Sequence, residues 1–230
     1  MDWYLASLHM LSAADSVSGY QARRCRYLIQ ATDHEAAYLR SIELGNRIAT
    51  ETYAFAGVND LLLIHEPPEN GSELSWSQLE LTPETLECEI RSKEQTQAFR
   101  TTDTSRSGWY IATLAICEIH DEGSHGDTVL TWINSYFIHA KNAEAAHARA
   151  IQIGHEQEDP PRSHTCAGQK AHWEFKGIRS IIAAHNEPAD GSLLWCDDFR
   201  VPLEELNNLV TKKYDLSVFQ WAAEQNRAET

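Results

Sequence analysis

The chain repeats itself once, and that repeat limits what it can fold into more than any other feature. Trp3-Tyr4-Leu5-Ala6-Ser7-Leu8 returns as Trp109-Tyr110-Ile111-Ala112-Thr113-Leu114. Ile29-Gln30-Ala31, Glu35-Ala36-Ala37, Arg40, Ile42 and Gly45 return as Ile138-His139-Ala140, Glu144-Ala145-Ala146, Arg149, Ile151 and Gly154. Phe55-Ala56-Gly57-Val58 returns as Phe175-Lys176-Gly177-Ile178, and His65, Pro68, Gly71 and Ser72 return as His185, Pro188, Gly191 and Ser192. The order is kept throughout. A period of roughly one hundred residues is too long for a solenoid and fits a duplicated small domain. The shared residues are mostly apolar, Gly and Ala, so they specify a fold and pair no catalytic groups.

Each copy opens with a β-rich run, Trp3 to Leu11 and Trp109 to Ile119, and a second run ends at Ala31 and Ala140. Asp33 and Asn142 then stand at N-cap positions before an alanine-rich helix. A third strand follows around Phe55–His65 and Trp173–His185, with Gly57 and Gly177 marking a bulge or close contact. Pro68-Glu69-Asn70-Gly71 and Pro188-Ala189-Asp190-Gly191 are turns, because Pro presets φ and the glycine takes positive φ. A fourth strand runs near 73–79 and 192–201, and Pro83 and Pro202 open a short helix. Each half therefore reads β-β-α-β-β, a largely antiparallel sheet with one packed helix, and the chain reads as an α+β protein of two similar lobes. The expected division is a first repeat over 1–90, a linker over 91–108, a second repeat over 109–210 with an inserted loop at 159–169, and a C-terminal helix over 211–230.

A net charge of −15 is spread over both copies, with 16 acidic and 8 basic residues in 1–104 against 18 and 11 in 105–230. Such a field disfavours nucleic acid and anionic membranes and attracts basic partners. Arg23-Arg24-Cys25-Arg26 is too short a basic patch to reverse that. Five cysteines, an odd number with no C-x-x-C pair, fit free thiols in a reducing compartment better than a disulfide framework. No apolar run approaches 18 residues and Asp2 stands where a signal peptide wants a basic residue, so a cytoplasmic protein that spans no membrane is expected.

Chemistry is sparse. There is no Walker loop, no G-x-G-x-x-G and no nucleophile elbow. Cys117, Glu118, His120, Asp121, Glu122, His125 and Asp127 are metal-ligand types, but their spacing matches no closed zinc site, and a solvated hairpin turn is the expectation. His164-x-Cys166 in the inserted loop is a weaker signal of the same kind. His65 and His185, at matched strand ends, are expected to cap or stack there. Trp195 beside Asp197 and Asp198 places an aromatic next to acid, which is how protein-binding surfaces are built.

The second copy resembles the small bacterial domain of unknown function DUF4288. The likeness rests on Trp109-Tyr110-Ile111-Ala112-x-Leu114, Glu144-Ala145-Ala146, Ile153-Gly154, Trp173-Glu174-Phe175-x-Gly177-Ile178 and Asp190-Gly191. The first copy follows this pattern more loosely, with Tyr53-Ala54-Phe55 where the second has the tryptophan. The resemblance implies a structural motif and brings no catalytic residue or cofactor. In style the chain is similar to the immunity proteins of polymorphic-toxin and type VI secretion systems. The leading expectation is thus a non-enzymatic cytoplasmic immunity protein, without metal or cofactor, that neutralises a basic toxin such as a nuclease. Its expected contacts are Glu118, Asp121, Glu122, Asp127, Trp195, Asp197, Asp198, Glu204 and Glu205. The alternative is a metal- or small-molecule-binding enzyme or sensor using His120, His125, His164 or His185.

Overall fold

The computed structural model describes residues 1–12, 20–100, 108–120, 127–166 and 168–228. In chain order these form β1 (Asp2–Ser12), β2 (Tyr20–Ala31), α1 (His34–Ile48), β3 (Tyr53–Ile64), β4 (Glu73–Leu81), α2 (Pro83–Glu89), α3 (Gln97–Arg100), β5 (Gly108–His120), β6 (Val129–Ala140), α4 (Ala143–Glu156), β7 (His164–Cys166), β8 (Gln169–Ala183), β9 (Leu193–Val201) and α5 (Ser217–Ala228). The expected β-β-α-β-β order is present in each copy, and all strand pairs are antiparallel. The segment expected to be a loop at 159–169 carries the short strand β7. The expected linker carries α3.

The compact units are cut differently from the sequence copies. Unit 1 is residues 1–67 with 185–230, and unit 2 is residues 68–184. The sheet of unit 1 has the order β3-β1-β2-β9, and that of unit 2 the order β4-β6-β5-β8-β7. The fourth strand of each copy has therefore left its own sheet and joined the other: β4 pairs with β6, and β9 pairs with β2. The similarity of the copies hid this, because a repeat shows which strands are alike and not which edge each one joins. The stretch 91–108 consequently does not separate the two units.

Within each unit the helix is seated by the same devices. Asp33 Oδ1 accepts from Ala36 N at 2.8 Å, and Asn142 Oδ1 accepts from Ala145 N at 2.9 Å, which caps α1 and α4. Both helices bring a glycine against an aromatic ring. A Cβ on Gly45 would lie 2.3 Å from the Phe55 ring, and one on Gly154 would lie 2.5 Å from Phe175. The exchanged segment covers the second glycine of each unit. Gly57 and Gly177, at φ +151° and +147°, are pressed by Val210 and Ile90, where any side chain would strain the backbone and collide. Beside them Thr211 N donates to Val58 O, and Arg91 N donates to Ile178 O.

The apolar centre of unit 1 is built from Tyr4, Leu8, Ile29, Leu44, Leu61 and Leu216. His9 is buried beside it, its Nδ1 donating to the Leu209 carbonyl at 2.6 Å. In unit 2, Tyr110, Leu114, Ile138 and Ile181 pack under Ala146, Ala150 and Ile153 of α4. Trp3 and Trp109 are half-buried; Trp109 meets Phe137 edge-on at 6.1 Å. One expectation about cysteine is overturned. Cys25 and Cys196, opposed in the β2–β9 register with Cα atoms 4.2 Å apart, form a disulfide, while Cys88, Cys117 and Cys166 are free thiols. An odd count signalled one unpaired thiol but did not exclude a pair, and the register creates it.

Two outcomes follow from this packing. G154A should lower the unfolding free energy by about 1–3 kcal/mol through overpacking, although alanine alone would favour the helix by about 1 kcal/mol; urea titration reads the difference. Burial holds the His9 imidazole below its ordinary pKa, with Arg24 and Arg26 adding to the depression. The unfolded chain then binds the proton first, so this contribution is intact above about pH 6.5 and shrinks as the pH falls toward the depressed folded value. H9N, which keeps a donor at the Nδ1 position, should lose less stability between pH 7 and pH 5 than the parent in paired urea titrations.

Candidate metal centre

Strand alternation puts residues two apart on one face. Glu118 and His120 share a face near the end of β5, and His164 and Cys166 share one on β7. Strand β8 lies between them, with Ala171 paired to His120 on one side and to His164 on the other. Ala171 is fully buried and its methyl leaves room for both rings to approach. Glu118 is opposite Trp173 in the same ladder.

The carboxylate of Glu118 is 6% exposed and is the hub. His164 Nε2 donates to its Oε1 at 2.8 Å, and His120 Nε2 stands 3.7 Å from its Oε2. A hydrogen bond to the same carboxylate, with burial and the carboxylate's charge adding to it, pushes the Cys166 thiol pKa up. The ion-pair partners of Glu118 among the described residues are histidines alone. A carboxylate this deep needs hydrogen-bond donors or cations around it.

The ligand atoms of Glu118, His120 and Cys166 all lie within 4.8 Å of one another. Around zinc, bonded at 2.0–2.3 Å, tetrahedral ligands sit about 3.4 Å apart, so small side-chain rotations would close the set. One carboxylate, one or two imidazoles and one thiolate are a donor set suited to a borderline ion such as zinc. The group opens into a cleft of about 280 Å³, whose further walls include Gln78, Glu80 and Leu130. Nearby, Trp173 stacks on Trp132 with centroids 4.3 Å apart and on His164 at 5.9 Å. That stack fixes the ring plane of His164.

The sequence placed these four residues in two separate weak signals. The structure joins Glu118 and His120 from one signal with His164 and Cys166 from the other. Cys117 points to the opposite face, packs near Leu86, Val129 and Ile133, and has its Sγ 3.2 Å from Thr131 Oγ1. Asp121, Glu122 and His125 lie outside the described residues. The signal available in the sequence was the shared x-spacing, Glu118-x-His120 and His164-x-Cys166. That spacing suits one face of a strand and would be meaningless in a turn.

The expected partner-contact residues are placed differently from one another. Glu118 is buried in the cluster, Asp127 and Glu205 are exposed, and the side chain of Glu204 lies outside the described residues. Trp195 lies under the guanidinium of Arg26 at 4.6 Å. Asp197 pairs with Arg26 at 2.6 Å and Arg24 at 3.7 Å, and Asp198 with Arg23 at 2.6 Å. The acid pair therefore serves the β2–β9 ladder, and its charge is largely answered within unit 1. His65 stacks edge-on against Trp221 at 5.6 Å, the strand-end role expected for it. His185 is exposed, and its backbone N–H donates to Leu194 O.

Residues 109–195 match the family model described as Domain of unknown function (DUF4288). The matched span runs from β5 to the first residues of β9 and contains all four residues of the cluster. No curated protein and no solved structure matches the chain.

Exposed ion pairs contribute about 0.2–1 kcal/mol each, and D197K/D198K would both break three and set two lysines against three arginines. The double variant should lose about 1–2 kcal/mol of unfolding free energy, read as a lower melting midpoint, with the loss diminishing at 1 M salt. An unchanged midpoint in calorimetry would show that the pairs are not structural.

Proposed function

We propose that the protein reversibly binds one divalent transition-metal ion of the zinc class through Glu118, His120 and Cys166. His164 is either the fourth ligand or the group that orients Glu118. The observation that carries this reading is the convergence on a buried carboxylate of two imidazoles and a thiol from two distant segments, at the mouth of a cleft. Because the ligands come from β5 and β7, a bound ion would tie the edge strand β7 to β5 across β8. Binding would thereby report metal availability as a change in local order, as a sensor does. When bound, the ion would also act as a Lewis acid toward anything entering the cleft; Glu118 would orient it and the Trp132–Trp173 stack would shield it from one side.

The chemistry is confined to one copy. Ser12 stands where Glu118 stands in the second copy, and β7 has no counterpart in the first. In this reading residues 2–100 are a diverged second copy of the matched domain that has kept the fold and not the site.

A partner-binding role is a second proposal, favoured by the charge. Unit 1 carries 17 acidic and 9 basic side chains, and unit 2 carries 17 and 10. A cytoplasmic immunity protein capturing a basic toxin would use such an evenly spread field. Capture of a single basic protein that is toxic when produced alone would support that role; no stoichiometric partner would count against it.

For the metal reading, zinc at one hundred times its Kd should stabilise unit 2 by about 2.7 kcal/mol, seen as a rise in Tm. Cobalt should give the visible absorption of a thiolate-ligated ion. H164A should weaken binding by about 10- to 100-fold if His164 orients a ligand. C166S should abolish the thiolate absorption with the fold intact. Purified protein that takes up neither ion, with Tm unmoved, would refute the assignment.

A further inference from the structure

We infer that the exchange of strands is dictated by side chains on β2 and β9, which make the second copy's fourth strand the specific partner of the first copy's second strand. The connections do not dictate it. In unit 1 the end of β3, opposite Trp3, lies three strand spacings from the edge where β9 begins, about 14 Å. The eight residues 65–72 could reach about 26 Å, so β4 could have looped back to its own copy.

The registers show what each choice brings together. In unit 1, Arg23, Arg24, Cys25 and Arg26 face Asp198, Asp197, Cys196 and Trp195. In unit 2 the matching positions are Trp132, Ile133, Asn134 and Ser135, facing Gln78, Ser77, Trp76 and, for Ser135, Ser75. With each copy keeping its own strand, three arginines would face Gln78, Ser77 and Ser75. Asp198 and Asp197 would lie against Trp132 and Ile133, and Cys25 would oppose Trp76. Three ion pairs, the Arg26–Trp195 contact and the Cys25–Cys196 bond exist only in the exchanged arrangement. Unit 2 adds its own mark, since buried Asn134 and Tyr136 bond Glu73 of β4 at 3.2 and 3.4 Å, where β9 offers Leu193 instead.

The cysteines make the choice readable in the full chain. W76C places a second thiol in competition with Cys196 for Cys25. The reduced variant is unfolded, refolded and oxidised with glutathione disulfide, which takes up the two electrons and two protons released as each S–S bond forms. Remaining thiols are then alkylated and the linked peptides identified by mass spectrometry. The Cys25–Cys196 linkage should exceed Cys25 joined to position 76 by about tenfold or more, given three ion pairs and a cation–π contact. Adding D197S and D198Q, which give β9 the residues of β4, should raise the linkage to position 76 severalfold. Moving the acids outright, with S77D and Q78D as well, should make it predominant. A ratio that D197S/D198Q leaves unchanged overturns the inference, as does predominance of the linkage to position 76 in W76C alone. Should the four-site variant fail to fold, the two-site comparison still decides.

Discussion

Strand β9 closes an edge that β2 would otherwise leave open, and much of unit 1 hangs on that ladder. Through it the chain delivers Val201 and Leu209 to a small apolar cluster with Ala22, Val210 to the face of Gly57, and Leu216 and Val218 to the main core. Leu209 also provides the carbonyl that accepts from His9 Nδ1, and Lys213 reaches Glu35 on α1. None of these contacts could form if β9 stayed with the copy that encodes it. The ladder is held by backbone hydrogen bonds common to any strand pair and by charged pairs that are particular to this one. The first kind provides most of the attraction and the second provides the choice of partner.

The same logic explains how one fold can occur twice with the Glu118 cluster once. Gly45 against Phe55 and Gly154 against Phe175, the two N-caps, and the Lys93–Glu144 and Lys213–Glu35 pairs recur because they seat a helix on a sheet. The Glu118 cluster lies beyond that shared core, at the far end of β5, where β7 adds an edge strand. Burying a carboxylate there is unfavourable unless cations or donors surround it, and the imidazoles of His164 and His120 stand at its oxygens. The cluster is held by the Ala171 row beneath it and the tryptophan stack beside it.

Much of the architecture was legible in the residues. The caps at Asp33 and Asn142, the bulge glycines Gly57 and Gly177, and the Pro–Gly turns each have a local cause, and each appears where the sequence put it. Trp195, Asp197 and Asp198 were singled out as an aromatic beside acid, and the structure gives them partners within the chain, the arginines of β2, 169 to 175 residues away. The four residues of the candidate centre were all noticed, yet in two groups 46 residues apart, and nothing local says that β8 will bring them into adjacent rows.

What the sequence determined by itself was the kind of fold, because hydrophobic period, helix caps and turn chemistry act over a few residues and recur in both copies. Only the tertiary structure decided which copy each fourth strand joins, that Cys25 meets Cys196, and that Glu118, His120, His164 and Cys166 converge. These are matters of register and edge pairing between distant strands, where a repeated sequence offers two nearly equivalent backbone solutions. The choice falls to a few charged, sulfur and aromatic side chains whose meaning depends on what lies opposite.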